Sequence, residues 1–569
     1  SVRLGKGANS QPGNTVVGEL ALDAVTTASG LTALGYNALS SNTTGPKNVA
    51  IGNSALSSIT TGDASTAVGF EALKTATASN NTAVGCNALR LTTTGGNNVA
   101  VGQNALDANT TGASNVAVGL NALGGNTTAD YNVAVGRDAL EANTTGTQNT
   151  AVGYEALTAN NTHSYNTAVG HEALKANTST GGTAVGHRAL TANTTGAANL
   201  AIGKDALYNN TTGNYNIAVG YDTLQQNNAN NNVAVGHDAL KLNTTGYENT
   251  AVGGNTLDAN TTGAVNTAIG FGALGANTTA ARNTAVGKDA LAANTTGERN
   301  TSVGHDSLLV NSTGSYNSAF GQNALVANTT ATHNTGIGYN ALAANTTGTE
   351  NTALGATALD ANTTGDYNTA VGRHALGASN ADSNTAVGHF ALQQNTTGSS
   401  NTAVGAEALQ VNTTGAQCTA IGFRALEANT TANYNTAIGS QTLQATTDGD
   451  LNVAIGLQAL EANVSGSRNT ACGVESLQAN LASNNTAFGR RALKANTTGT
   501  LQVAVGQGAL ETVTTSSSNT AVGCNALNLN VGQNNTAVGD GALQLNTSAS
   551  YLTAVGYQAM YNNTTGVRN

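Results

Sequence analysis

A glycine returns every 17 residues along this chain, from Gly18, Gly35, Gly52, Gly69 and Gly85 to Gly523, Gly539 and Gly556. Around it stands one unit: Asn-Thr-Ala-Val-Gly, two variable residues, Ala-Leu, two more, then Asn-Thr-Thr-Gly and a short link. There are 33 such glycines, Gly102, Gly119 and Gly136 among them, and a few steps are 16 long, as at Gly69 to Gly85, Gly170 to Gly186 and Gly372 to Gly388. One residue is lost there from a turn. Self-similarity at so short a period means one small unit per copy, which can bury its apolar side only against the next copy.

Seventeen residues are too few for two packed helices, and a glycine and a β-branched residue in each short apolar segment disfavour helix anyway. Two short strands per coil fit, Thr-Ala-Val-Gly and Ala-Leu, with Asn-Thr-Thr-Gly as the return turn, because Asn and Gly suit positive-φ positions. Two glycines per coil over 33 coils predict about 66, against 69 present. The pattern predicts an all-β parallel solenoid or β-roll of about 33 coils over residues 14–569, preceded by a short atypical coil over residues 1–13. At a strand spacing of about 4.8 Å the coils make a rod of roughly 160 Å.

Stacking puts like residues above like. The asparagines before the first strand, Asn132, Asn149 and Asn166, are expected to form a ladder of side-chain amides bonded from coil to coil. Leu106, Leu123 and Leu140 form an apolar ladder. Strand residues alternate between faces, so the Ala and Val of the first strand point opposite ways, as do the Ala and Leu of the second. Both faces are then partly apolar, and the one outside the coil calls for lateral association.

Composition removes several classes of function. The chain of 569 residues has no Trp, one Met, two Pro, six Phe and 9% charged residues, unlike an ordinary globular enzyme. Recurrent Val, Ile, Leu and Thr argue against disorder. The net charge is −10, with Lys and Arg scattered singly, so nucleic acid is not an expected partner. No apolar run is long enough to enter a membrane, and the first residues lack the apolar core of a signal peptide, as expected of a mature or truncated chain. Cys86, Cys418, Cys472 and Cys524 are too far apart for a disulfide framework or a thiolate zinc site.

No cofactor or metal is expected. The Gly-Gly-x-Gly-x-Asp repeat of calcium-binding solenoids is missing. His171 and His187 fall on adjacent coils about 5 Å apart but read as solvated turn residues. No nucleophile, histidine and acid recur together, so no catalytic residue is assigned. Most tyrosines fall in two turn positions. One follows the marker glycine (Tyr36, Tyr154, Tyr221, Tyr339, Tyr557); the other precedes the ladder asparagine (Tyr131, Tyr165, Tyr215, Tyr316, Tyr367, Tyr434). The second set is the candidate contact surface for glycans or proteins, with shielding of strand ends as the plainer role. Asn-Thr-Thr satisfies the glycosylation pattern in most coils, including Asn109, Asn143, Asn260 and Asn345, although the same residues suit a tight turn.

The Ala-Val-Gly units resemble the haemagglutinin-type repeats in the heads of trimeric autotransporter adhesins, and similar repeats occur in tail-fibre-like proteins. The match covers about residues 14–569. The family's unit is shorter, the Asn-Thr-Thr-Gly turn making up the difference, and no coiled-coil stalk or membrane anchor is seen. The resemblance implies a left-handed β-roll packed in threes on a cell or virion surface. The expected function is therefore a non-catalytic extracellular fibre segment, structural or adhesive, self-associating as a homotrimer. Because Asn569 stands in register to begin another coil, the alternative is a subunit of a filament stacked end to end. A third reading is an ice-binding solenoid, although the threonines sit in turns and beside Ala instead of in Thr-x-Thr.

Overall fold

The computed structural model describes Leu4–Gly5 and residues 8–566. It is a parallel β-solenoid with a period of about 17 residues, all-β apart from one 3-10 turn at Ala8–Ser10. Contacts divide the chain into two compact units, Ser1–Arg282 and Asn283–Asn569. In the first, β1 (Leu4–Gly5) pairs antiparallel with β2 (Thr15–Val17), and one three-residue strand per coil follows, up to β17 (Thr267–Ile269). The second unit runs likewise from β18 (Thr284–Val286) to β34 (Thr553–Val555). Of the residues 1–13 expected to form a short atypical coil, those described are Leu4–Gly5, paired antiparallel with β2, and 8–13, which include the 3-10 turn Ala8–Ser10. Leu4–Gly5 lie along the first coil's strand and Asn9 Nδ2 reaches Val25 O at 3.0 Å, so part of that strand edge is covered.

The coil from Gly136 to Val152 shows the construction. Its strand β10 (Thr150–Val152) pairs in parallel and in strict register with Thr167–Val169 of the next coil, Ala151 above Ala168. Ala151 is wholly buried while Thr150 and Val152 stay half-exposed, which is the alternation expected of a strand with one face inward. Gly136 turns the chain out of the preceding strand at φ 137°, and a Cβ there would run into the carbonyl oxygen of Gly153 one coil on. Both the dihedral and the close approach demand glycine.

The Ala-Leu segment is not a second strand. Asp138 and Leu140 have φ 58° and 53°, left-handed values on either side of Ala139, and the same pair of positions recurs through both units. Its backbone still bonds from coil to coil, Asp138 N–H donating to Leu120 O at 2.9 Å and Leu140 N–H to Ala156 O at 3.0 Å. A strand would have sent Ala and Leu to opposite faces. The left-handed bends turn both inward, so Ala139 and Leu140 are each fully buried, like Leu106 and Leu123. A left-handed residue other than glycine costs roughly 1–2 kcal/mol. Burial of a leucine side chain is worth about 1.5–3 kcal/mol, which offsets the strain at the leucine itself.

Candidate functional site

Two interior columns of asparagine hold the coils in register. In the first, Oδ1 of Asn132 accepts the backbone N–H of Asn149 at 2.9 Å, and Oδ1 of Asn149 that of Asn166 at 3.0 Å. Each Nδ2 donates to a corner carbonyl of the next coil, Asn132 to Gly146 O at 2.9 Å. This column therefore joins amide to backbone. Amide-to-amide bonding belongs mainly to the second column, the asparagines of Asn-Thr-Thr-Gly: Asn126 Nδ2 donates to Asn109 Oδ1 at 2.9 Å, and Asn143 Nδ2 to Asn126 Oδ1 at 3.1 Å. The same Nδ2 of Asn143 also reaches Gly146 O at 2.9 Å, closing the turn.

That placement removes the glycosylation expectation for the folded chain. Asn109, Asn143, Asn260 and Asn345 are all fully buried, and the nitrogen that would carry sugar donates to both the previous coil and the turn. The pattern Asn-Thr-Thr marks a buried rung. Where neighbours break the column the rung is orphaned: Asn42 lies between Val25 and Ile59, all three buried, and neither of its amide atoms has a partner.

Stacking also sets charge above charge on the outer surface, and bridging lysines compensate. Lys175 Nζ lies 2.5 Å from Glu155 and 2.8 Å from Glu172, and these hydrogen bonds raise its pKa. Lys241 joins Asp222 and Asp238 in the same way, each at 3.0 Å. Alongside runs a shallow groove floored by alanine. Two recesses of about 540 and 530 Å³ in the second unit share Glu461 and Ala462. The polar side chains on its wall bond to one another, Gln478 Nε2 to Glu461 Oε2 at 2.7 Å, and do not converge on a common point. Among the described residues no three His, Cys, Asp or Glu side chains are grouped to hold a metal ion.

The aromatic residues fall into two exposed columns with different availability. After the marker glycine, rings stack on one another: Tyr154 on His171 with centroids 5.1 Å apart, His171 on His187 at 5.2 Å, and Tyr221 on His237 at 5.4 Å. Their faces are thereby occupied. Before the ladder asparagine, Tyr131, Tyr165, Tyr215, Tyr316, Tyr367 and Tyr434 all sit at positive φ and are 46–65% exposed. Only Tyr316 of these stacks on a ring among the described residues, on His333 at 4.9 Å.

The remaining surface of note is the outer face of the strands. The third strand residue is Val, Ile, Leu or Phe in nearly every coil, and Val84, Val101, Val185, Val404 and Ile421 are each 36–40% exposed. Neither row of outward strand residues contains a charge. Together these features define a repeat solenoid whose polar interior is spent on joining coils and whose outside presents continuous rows. No family model matches the sequence, and no curated protein is significantly similar to it.

Proposed function

We propose that this chain is a non-catalytic structural segment of an extracellular fibre whose copies associate side by side. The observation that carries this is the uncharged, half-apolar outer strand face, repeated coil after coil, which solvent alone does not favour. Tyr131, Tyr165, Tyr215, Tyr367 and Tyr434, which unlike Tyr316 stack on no other ring among the described residues, supply an adhesive surface on glycans or proteins, since exposed ring faces stack on sugars and on apolar patches. The test is electron microscopy of the purified chain together with its mass in solution. Elongated particles at three times the chain mass support a trimeric fibre segment. Long filaments with an axial repeat of one chain length point to end-to-end stacking instead, and a single-chain mass at all concentrations defeats the association reading.

A second reading rests on a separate observation. In the second unit the outward first residue of the strand is Thr in an unbroken row from Thr335 to Thr436, with Val, Ile or Leu two residues on. These threonines stand on the sheet and not in turns, in a regular grid of hydroxyl and methyl groups suited to ordered water. A thermal hysteresis assay tests ice binding; no hysteresis at millimolar chain removes it.

A further inference from the structure

One corner of the solenoid changes at every third coil. The residue three before the ladder position is glycine in the ordinary coil, as at Gly45, Gly62, Gly95 and Gly112. In ten successive third coils it is Ala or Ser: Ala28, Ala78, Ala129, Ser179, Ala229 and so on to Ala482. All six 16-residue coils fall in this same phase, opening at Gly69, Gly170, Gly220, Gly372, Gly473 and Gly523. Exceptions are few: Gly532 within the phase, and His163, Ser516 and Ala549 outside it. The phase is confined to the corner. After the marker glycine the same coils carry Phe70, Leu120, His171, Tyr221, Arg373 and Val474, so copying of a three-coil block does not account for it.

The substitution has a structural consequence. At the ordinary corner a methyl group would run into the carbonyl oxygen of the next corner, Gly45 into Gly62 and Gly348 into Gly365. At two of the full-length alanine corners, Ala129 and Ala331, the bond to the next corner is longer than one coil earlier, while at Ala432 it is 3.0 Å against 2.9 Å. The bonds from Thr127 N–H to Thr144 O and from Thr329 N–H to Thr346 O are both 3.1 Å, against 2.8 Å for Thr110 to Thr127 and Ser312 to Thr329 one coil earlier. In the short coils the corner follows a path one residue shorter. Either way it is altered once in three coils, a repeat of about 14 Å. Tyr165, Tyr215, Tyr316 and Tyr367 stand in the coil just before such a corner, and Tyr131 and Tyr434 in the altered coil itself. Gly181, next in the column after Tyr165, leaves that ring unflanked on one side.

We propose that this corner is the edge along which two copies of the chain dock, in registers that differ by whole multiples of three coils. The inference rests on the side-by-side reading and adds the corner as a contact beyond the strand face. A partner must share the same axial repeat to use every altered corner, and a second copy does so, its tyrosines projecting at that spacing. The two residues after the turn asparagine carry one charge in the whole chain, Asp448, while the tyrosine positions have charged neighbours of both signs, such as Asp130, Arg282, Asp366 and Arg468, so docking of two copies is expected to depend on salt. The test compares the sedimentation mass of the full chain, of the variant Tyr165→Ser/Tyr215→Ser/Tyr316→Ser/Tyr367→Ser, and of the strand-face variant Val387→Lys/Val404→Lys. Circular dichroism verifies that each is folded. Docking at the corner predicts that the tyrosine variant falls to single-chain mass. It also predicts that dityrosine cross-links between wild-type copies join Tyr165, Tyr215, Tyr316 and Tyr367. If the tyrosine variant keeps the wild-type mass while the strand-face variant loses it, copies associate but this edge is not the contact. A wild-type chain of single mass overturns both readings, and cross-links confined to Tyr36, Tyr154, Tyr221 and Tyr339 overturn this one.

Discussion

At the scale of single residues, the interior polar columns decide what each substitution costs. Replacing Asn143 by Val leaves Asn126 Oδ1 without a donor, and takes one of two partners from Gly146 O, which keeps Asn132 Nδ2, and from Asn160 Nδ2, which keeps His163 O. Each stranded buried group costs about 1–3 kcal/mol, so Asn143→Val is expected to open its own coil and the adjoining ones. Asn42→Val, between Val25 and Ile59, removes two atoms that have no partner and is expected to be neutral or stabilising. Amide hydrogen exchange read by mass spectrometry around the two sites separates them, and equal loss of protection would contradict the assignment. Cys418 occupies a rung of the first column, where Sγ lies 3.3 Å from Ala432 O and burial pushes its thiol pKa up to about 11 from 9.0. The folded state therefore holds a proton that the unfolded state releases between about pH 9 and 11. Stability in this coil is accordingly full below pH 9 and falls by about 1.4 kcal/mol per unit across that window. Cys418→Ala is expected to remove the fall. In a thiol-reagent titration at pH 8 the exposed Cys86 and Cys524 react in the folded chain and Cys418 only on unfolding.

At the scale of the element, the coil is a strand of three residues and a left-handed ribbon joined by two corners. The strand was legible in Thr-Ala-Val because a β-branched residue stands on either side of a small one, and the glycine after it announces a turn. The ribbon was not, because Leu is a poor left-handed residue taken alone and its burial there depends on the coils on either side. Two substitutions probe this. Gly136→Ala forces a Cβ toward Gly153 O at φ 137°, and Leu140→Ala leaves a cavity at a fully buried site. Deleting a buried leucine side chain costs about 2–5 kcal/mol. Exchange protection is expected to be lost in the affected coil and its immediate neighbours with either variant, while coils six or more away keep theirs. Uniform loss along the unit would show the coils to be more strongly coupled than nearest-neighbour stacking implies.

At the scale of the whole molecule, like stands above like, and this produces both regularity and its liabilities. Carboxylates stacked on carboxylates need bridging lysines such as Lys175 and Lys241. Exchanging Lys175 for Met is expected to raise the pKa of Glu155, which the Lys175 hydrogen bond holds below its ordinary value, and to weaken the local stack at neutral pH more than at pH 4. The effect is small, about 1 kcal/mol or less, because all three groups are near the surface. Thermal melts of the variant and the parent at the two pH values check it, the difference between them shrinking on acidification.

The 17-residue period was enough to establish a parallel solenoid and its number of coils, because only identical coils stacked in register satisfy so strict a repeat. The three-coil phase of Ala129 and its counterparts was equally present in the sequence, a second period hidden behind the first and visible only once each corner is aligned on its ladder residue. Which side of a rung faces inward was decided by the tertiary structure. Asn-Thr-Thr reads as an exposed acceptor in any isolated segment, and only the next coil, with its carbonyls and amides about 4.8 Å away, draws that asparagine inside. The same holds for Leu140, whose left-handed backbone is unfavourable in the lone coil and becomes affordable when the coils on either side close over its side chain.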